Sequence, residues 1–286
     1  MEQASTSTAR RGQAAGAETS RRSLKNFWAE GARDWKLSSS MAAFISFGIP
    51  ILVCLAGAAT ALLGKHAYKA FTGEDGISEN LQVLFWTFAL ILGLVVMGRL
   101  WQKGSKIFAL LYLVLNIGIV FIVGEEISWG QRIFGWETSE ELKAINKQEE
   151  TNLHNIEGVG DKIKWLHVLI GSYGTIFPLL ALLFRADARY REALSLLVPH
   201  YTLLPHFFAT LVWRLQANLW KPPKSLYFVI TEYSEVMELV LAVAFFMFLL
   251  FQFRRLKSPV PQGGIVEQLP LNSMERINRL RYQKSH

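Results

Sequence analysis

Residues 41–63 read MAAFISFGIPILVCLAGAATALL, an apolar run that contains no Asp, Glu, Lys or Arg. A helix needs about 20 consecutive apolar residues to cross a bilayer core that is about 30 Å thick. This run is therefore predicted to be a membrane-spanning helix. Cys54, the only cysteine of the chain, lies within it, so no intramolecular disulfide can form.

Five further segments have the same character. The predicted spans are 41–63, 81–100, 107–124, 165–184, 194–213 and 228–252. The chain is 51% hydrophobic and 19% charged, as expected for apolar spans joined by charged loops. A soluble helical core is the alternative, but six such runs exceed what a chain of 286 residues can bury in water. We therefore predict an all-α fold, a polytopic membrane bundle of six transmembrane helices with short interfacial helices.

The distribution of Lys and Arg predicts the orientation of the bundle. These residues gather before the first span, in the second and fourth connections, and after the last span. Examples are Arg33, Lys36, Arg99, Lys103, Arg185, Arg189, Arg254 and Arg255. This pattern predicts a protein of the cytoplasmic (inner) membrane with both termini in the cytoplasm. Because the net charge of +7 lies beside apolar segments, we expect membrane lipids rather than nucleic acid as partners.

The predicted domain organisation is a transmembrane domain between two tails. Residues 1–40 are predicted to be a cytoplasmic tail, disordered at its start, and 253–286 a basic cytoplasmic tail. The transmembrane domain, 41–252, includes a long outer loop at 125–164. The first tail is expected to end in a short amphipathic helix on the membrane surface, and 271–277 have the spacing of a second one. The apolar face of the first helix comprises Leu24, Phe27, Trp28 and Trp35.

Ionisable residues in the later spans point to a functional site. Glu235 and Glu238 lie three residues apart and, with Glu232, cannot all be ionised unless a proton or a cation joins them. Pro205 is expected to kink the fifth span around a cavity beside His206. The topology places these groups in the outer half of the bundle, where such costly residues carry function. The alternative is an interfacial Glu232 with Glu235 ion-paired to an arginine, either Arg132 or Arg214.

The segment GEEISWGQRIFGW, residues 124–136, mixes glycines, aromatic rings and polar side chains. It predicts a broken or re-entrant element at the outer face, with a simple interfacial helix as the alternative. Glu125 and Glu126 would point to different sides of a helix, so at most one faces a given site. Glu150 and His154 have the spacing of one helical face, where they would share a metal or form an acid–base pair, unless they are a solvated loop pair.

The string GEEISWGQRIFGW…NKQEETNLHN, within residues 123–156, resembles a segment of uncharacterised bacterial multi-pass membrane proteins. That resemblance implies no particular activity. Two membrane enzyme families differ at their defining spacings. The CAAX-type proteases have an arginine four residues after the second glutamate of a pair, whereas Arg132 follows Glu126 by six. The alkaline-ceramidase-like hydrolases have His-x-x-x-His, whereas His200 and His206 are six apart.

Together these residues predict a metal-dependent hydrolase or transferase that acts on a lipid or lipid-linked substrate, with a divalent metal such as zinc. The predicted metal ligands are His154, His206, Glu238 and Glu150. The candidates for the general base are Glu125, Glu126 and Glu235. The predicted substrate contacts are Arg132, Gln131 and Trp129. A proton-coupled carrier that uses the same carboxylates, and a membrane scaffold, remain as alternatives.

Overall fold

The computed structural model describes residues 29–73, 75–146, 149–156, 158–183, 188–220 and 222–256. This part of the chain is helical and contains no strand. The predicted disordered start and the predicted helix at 271–277 lie outside the described residues.

The described chain contains twelve α-helices. They are α1 (29–35), α2 (Ser39–Leu62, with a π-helical turn at Phe44–Gly48), α3 (Lys65–Thr72), α4 (Ile77–Gln102), α5 (Lys106–Glu126), α6 (Gln131–Phe134), α7 (Glu140–Lys143), α8 (Val159–Leu183), α9 (Ala188–Leu197), α10 (Leu204–Leu219), α11 (Lys224–Glu232) and α12 (Ser234–Arg255).

Six stretches of the described chain are long and apolar enough to cross a membrane. They are Ser39–Leu62, Lys65–Gln102, Lys106–Glu126, Lys162–Leu183, Glu192–Leu219 and Lys224–Arg255. The all-α membrane bundle predicted from the sequence is therefore confirmed.

The fifth span is broken rather than kinked. Helix α9 ends at Leu197, the chain continues through Pro199 and an extended His200, and a 3-10 turn at Tyr201–Leu203 leads into α10. Proline has no N–H to donate and disfavours helical geometry in the residue before it, which explains why the helix stops here. As a result, His206 lies in the first turn of a separate helix, α10, rather than within one continuous kinked helix.

Helix α12 lies at the centre of the bundle. Its residues are buried along its length, and Val240 and Ala244 are fully enclosed. Helix α4 runs parallel to it, because Gln82 contacts Glu235 near one end and Arg99 donates to the Phe253 carbonyl (2.8 Å) near the other.

Helix α10 runs antiparallel to α12. The Thr210 hydroxyl approaches the Met237 carbonyl (3.4 Å), while Phe207, earlier in α10, lies 5.8 Å from Phe245, later in α12. These directions bring the start of α12, the start of α4 and the ends of α5 and α10 to the same end of the bundle.

Helix α1 is docked on the opposite end. Trp35 is only 2% exposed, its indole N–H donates to the Thr202 hydroxyl (2.9 Å), and its ring lies 4.8 Å from that of Phe251. The expectation that Trp35 faces lipid is wrong, because this ring packs between protein elements. We call this end, with Arg99 and Arg254, the basic end.

The other end of the bundle is rich in carboxylates, among them Glu79, Glu126 and Glu235, and we call it the acidic end.

Candidate functional site

A cavity of about 480 Å³ lies at the acidic end, between α3, α4 and the junction of α11 with α12. Its volume is within the range of about 300–1,000 Å³ that is usual for small-molecule sites. The lining residues are Lys69, Thr72, Gly73, Glu79, Phe228, Thr231, Glu232, Ser234 and Glu235. Three carboxylates and one ammonium group therefore face a single small volume.

The charged groups of the cavity wall are partly matched. Glu232 is attracted to Lys69, whose Nζ lies 5.9 Å from the centre of the Phe228 ring. Glu79 accepts a hydrogen bond from the backbone N–H of Asp75 (2.8 Å) at the start of α4. Because one lysine faces three glutamates, the wall favours a positively charged occupant.

Glu235 connects this cavity to the interior of the bundle. The side chain of Gln82, which is fully buried, donates to both the carboxylate and the backbone carbonyl of Glu235 (3.1 Å each). The charge of Glu235 is repelled by those of Glu238, Glu126 and Glu79. Carboxylates this close to one another require a proton or a cation among them.

Glu238, one turn further along α12, already has a cation. Arg214 of α10 donates from Nη2 to Glu238 Oε1, and the Arg214 side chain is 5% exposed. His167 and His154 also lie within electrostatic range of Glu238. The charge of Arg214 is thus matched by Glu238. Among the described side chains, Glu235 has a hydrogen bond from Gln82 but no ion pair with a guanidinium.

Glu125 fastens the outer loop to the end of α5. One carboxylate oxygen accepts from the Trp129 indole N–H (2.7 Å). The other accepts from the backbone N–H groups of Leu153 (2.7 Å) and His154 (2.9 Å), and His154 Nδ1 lies 3.3 Å from it. A carboxylate engaged in this way positions the loop, which argues against its predicted role as a general base.

The chain breaks from helical geometry directly after α5. Ser128, Trp129 and Gly130 all have positive φ values, of 47°, 53° and 92°. Gly124 allows the Trp129 ring to fold back, because a Cβ at Gly124 would lie 2.9 Å from that ring. The broken element predicted from the glycine-rich sequence is therefore present.

Polar side chains join the break to residues 149–156. Ser128 and Asn152 both donate to Glu150 Oε2 (2.6 and 2.8 Å), and Asn146 donates to Asn152 Oδ1 (2.9 Å). Residues 149–156 form turns rather than a helix, since Asn side chains compete for backbone hydrogen bonds. The expectation that Glu150 and His154 share a helical face is wrong.

Gln131 is engaged in the same loop. Its amide donates to the Thr138 hydroxyl (2.9 Å) and its carbonyl accepts from the backbone N–H of Thr151 (2.8 Å). These hydrogen bonds, like that between Trp129 and Glu125, stabilise the conformation of the outer loop. The predicted substrate contacts of Gln131 and Trp129 remain predictions, and the side chain of Arg132 lies outside the described part of the structure.

His154, in the outer loop, lies within electrostatic range of Glu125, Glu126 and Glu238. Burial lowers its pKa, but the hydrogen bond to Glu125 and the charges of Glu126 and Glu238 outweigh burial, so the pKa lies above its ordinary value of 6.5. The imidazole therefore binds a proton more readily than a solvated histidine does.

The structure brings together some of the predicted site residues and not others. Electrostatic interactions link four of them. His154 interacts with Glu126 and Glu238, and Glu235 interacts with the same two glutamates. His206 lies elsewhere: it is fully buried, and Arg214 is roughly 12 Å further along the helix axis at ~1.5 Å per residue.

The described residues contain no group of three or more His, Cys, Asp or Glu side chains arranged to hold a metal ion. Of the predicted ligands, His206 is remote from the cluster and Glu150 is bound by Ser128 and Asn152. The predicted zinc site thus finds no supporting ligand geometry in this part of the chain.

Several residues of the site, among them Lys69, Glu79 and Gln82, were not predicted from the sequence to be site residues. Lys69 and Gln82 carry no pattern that sets them apart from other polar residues near span ends. Arg214, which directly follows the predicted fifth span, was named from the sequence as a possible partner of Glu235, whereas the structure pairs it with Glu238.

The fold and this site define a multi-pass α-helical membrane protein with an acid-rich polar site at one end of its bundle. Comparison of the chain with protein-family models, with curated proteins and with solved structures found no match.

Proposed function

We propose that the protein is a proton-coupled carrier that binds a small cationic solute in the cavity, at Glu235. The observation that carries this proposal is the position of Glu235. It lines the cavity and is also within electrostatic range of Glu238 and Glu126 inside the acidic end. One carboxylate is thus available both to a solute and to the interior charges.

The balance of charges around Glu235 explains how a proton and a solute would be coupled. Glu235 is crowded by other carboxylates, and the buried Arg214 is paired with Glu238. A proton on Glu235 relieves the repulsion, and so does a cation bound beside it. Proton and solute cation then compete for one group, which is the minimum requirement for coupling the movement of one to that of the other.

His154 supplies a second proton-binding group near the same cluster. It is half-buried, faces Glu126 and Glu238, and has a raised pKa. In this scheme, Glu235 releases its proton towards His154 when a solute cation binds. Intramembrane carboxylate and histidine groups of this kind are typical of proton relays in transporters.

The test measures binding of putrescine, a small diamine, to the full-length protein in nanodiscs. Its neutral analogue 1,4-butanediol and its anionic analogue succinate are the matched ligands. We expect putrescine alone to raise the thermal unfolding temperature. If one proton competes with the diamine, its apparent affinity falls by about tenfold per pH unit on acidification.

Two variants and one control locate the effect. Glu235→Gln is expected to abolish the competition between protons and putrescine, and Glu232→Gln to weaken putrescine binding while competition persists. Glu140→Gln is the control, because Glu140 is exposed and pairs with Lys143 (2.9 Å) in the loop. Stabilisation by butanediol equal to that by putrescine, or unchanged competition in Glu235→Gln, would refute the proposal.

A further inference from the structure

Four large apolar side chains in and directly after the chain break are exposed at the acidic end. We call them the aromatic cap: Trp129, Ile133, Phe134 and Trp136. Ile133 is 66% exposed and Phe134 74% exposed, and the rings of Phe134 and Trp136 stack with their centres 5.6 Å apart. Large apolar groups that are exposed together mark an interaction surface.

Three polar groups in the segment of the aromatic cap are hydrogen-bonded within the protein. The Trp129 indole N–H donates to Glu125 (2.7 Å), and the backbone N–H groups of Gly130 and Gly135 donate to the carbonyls of Ile127 (2.9 Å) and Gln131 (2.8 Å). Irregular backbone is costly in a bilayer when its hydrogen bonds are unmet. Here these groups do not need water.

The aromatic cap continues the exposed apolar face of α5. Val114, Ile117 and Phe121 follow helical spacing along that face and are 68%, 62% and 42% exposed. The Phe121 ring lies 5.8 Å from the Trp129 ring. The exposed face of an apolar membrane-crossing helix contacts lipid. The ring contact between Phe121 and Trp129 makes the exposed apolar surface continuous from this face to the aromatic cap.

We propose that the aromatic cap is immersed in the lipid leaflet at the acidic end, where it forms a wedge in contact with phospholipid glycerol and upper acyl groups. Tryptophan rings prefer this level of the bilayer. The occupant of this surface is the bilayer itself, not another protein. The proposal is independent of the carrier function, since it depends on the surface of the loop and not on the cavity.

Lipid immersion has a consequence for the site. Glu125 accepts hydrogen bonds from Trp129 with one oxygen and from the His154 backbone with the other. The depth of the aromatic cap in the leaflet therefore fixes the position of His154 relative to the membrane surface.

The test uses spin labels on single cysteines in nanodiscs of phosphatidylcholine and phosphatidylglycerol. Cys54→Ser provides the background, Phe134→Cys and Ile133→Cys place labels on the aromatic cap, and Glu141→Cys is the control on α7 of the same loop. Collision rates with oxygen, which partitions into lipid, and with a water-soluble nickel chelate are measured by electron paramagnetic resonance. We expect a several-fold higher oxygen-to-nickel ratio on the aromatic cap than at the control.

Each other outcome overturns the proposal. Nickel access at the aromatic cap equal to that at the Glu141→Cys control would mean that it lies in water. Protection from both reagents would mean that a protein covers it. Size-exclusion chromatography identifies which variants are folded. Because Phe134→Cys and Ile133→Cys are separate variants, either one is sufficient for the test if the other does not fold.

Discussion

The ion pair between Arg214 and Glu238 lies at the acidic end of the bundle. Both groups lie within apolar spans, where removal of one partner leaves an uncompensated charge. We expect Arg214→Gln and Glu238→Gln each to reduce the free energy of unfolding by about 3 kcal/mol. Denaturant titration in mixed micelles measures this.

The double variant distinguishes a true pair from two separate sites. Because the second substitution removes the charge that the first one stranded, we expect the double variant to be less destabilised than the sum of the two single variants. Strictly additive losses would show that Arg214 and Glu238 are not energetically coupled.

His154 predicts a pH dependence of stability. Its pKa in the folded protein is above the ordinary 6.5, so protonation stabilises the fold. This contribution is fully present below about pH 6.5 and is lost as the pH rises through the higher pKa of the folded state. Unfolding titrations of wild type and His154→Gln over this range measure it, and we expect the variant to lack the decline. An identical decline in the variant would assign it to another group.

The break after α5 contains three consecutive residues with positive φ values. Gly130 has a φ of 92°, and a Cβ there would lie 3.1 Å from the rings of Phe134 and Trp136. We expect Gly130→Ala to destabilise the protein by about 1–2 kcal/mol, since a left-handed conformation is unfavourable for residues with a Cβ. Denaturant titration provides the measurement.

Gly118 of α5 is the matched control for this prediction. It lies in regular helix, and a Cβ there would meet no atom within 4 Å. Gly118→Ala is expected to have no effect or to stabilise the helix by roughly 0.5–1 kcal/mol. A loss at Gly118 equal to that at Gly130 would contradict the role given to the left-handed turn.

The elements show which features the sequence could predict. Span positions follow from apolar length, which is a local property, and the glycines around Trp129 marked the break. The break of the fifth span at Pro199 could not be distinguished from a kink, because both begin with the same missing hydrogen bond. For the same reason, the sequence could not predict that His206 lies in the first turn of a separate helix.

At the scale of the whole molecule, the bundle has one end with many basic side chains and one with many acidic ones. The topology alone brings the start of α12 and the end of α5 to the same end, so proximity of Glu126 and Glu235 could be anticipated. The roles of Gln82 and Lys69 could not, because the face that each helix turns inward depends on packing. Only the assembled bundle places their side chains beside Glu235.

Exchange of a proton for a solute cation at Glu235 can be measured as proton movement in proteoliposomes. Vesicles that contain the protein and the pH-sensitive dye pyranine receive putrescine on the outside. We predict alkalinisation of the lumen with wild-type protein and with the Glu140→Gln control, and none with Glu235→Gln. Proton efflux that persists in Glu235→Gln, or that is absent from the wild type, would refute proton exchange at Glu235.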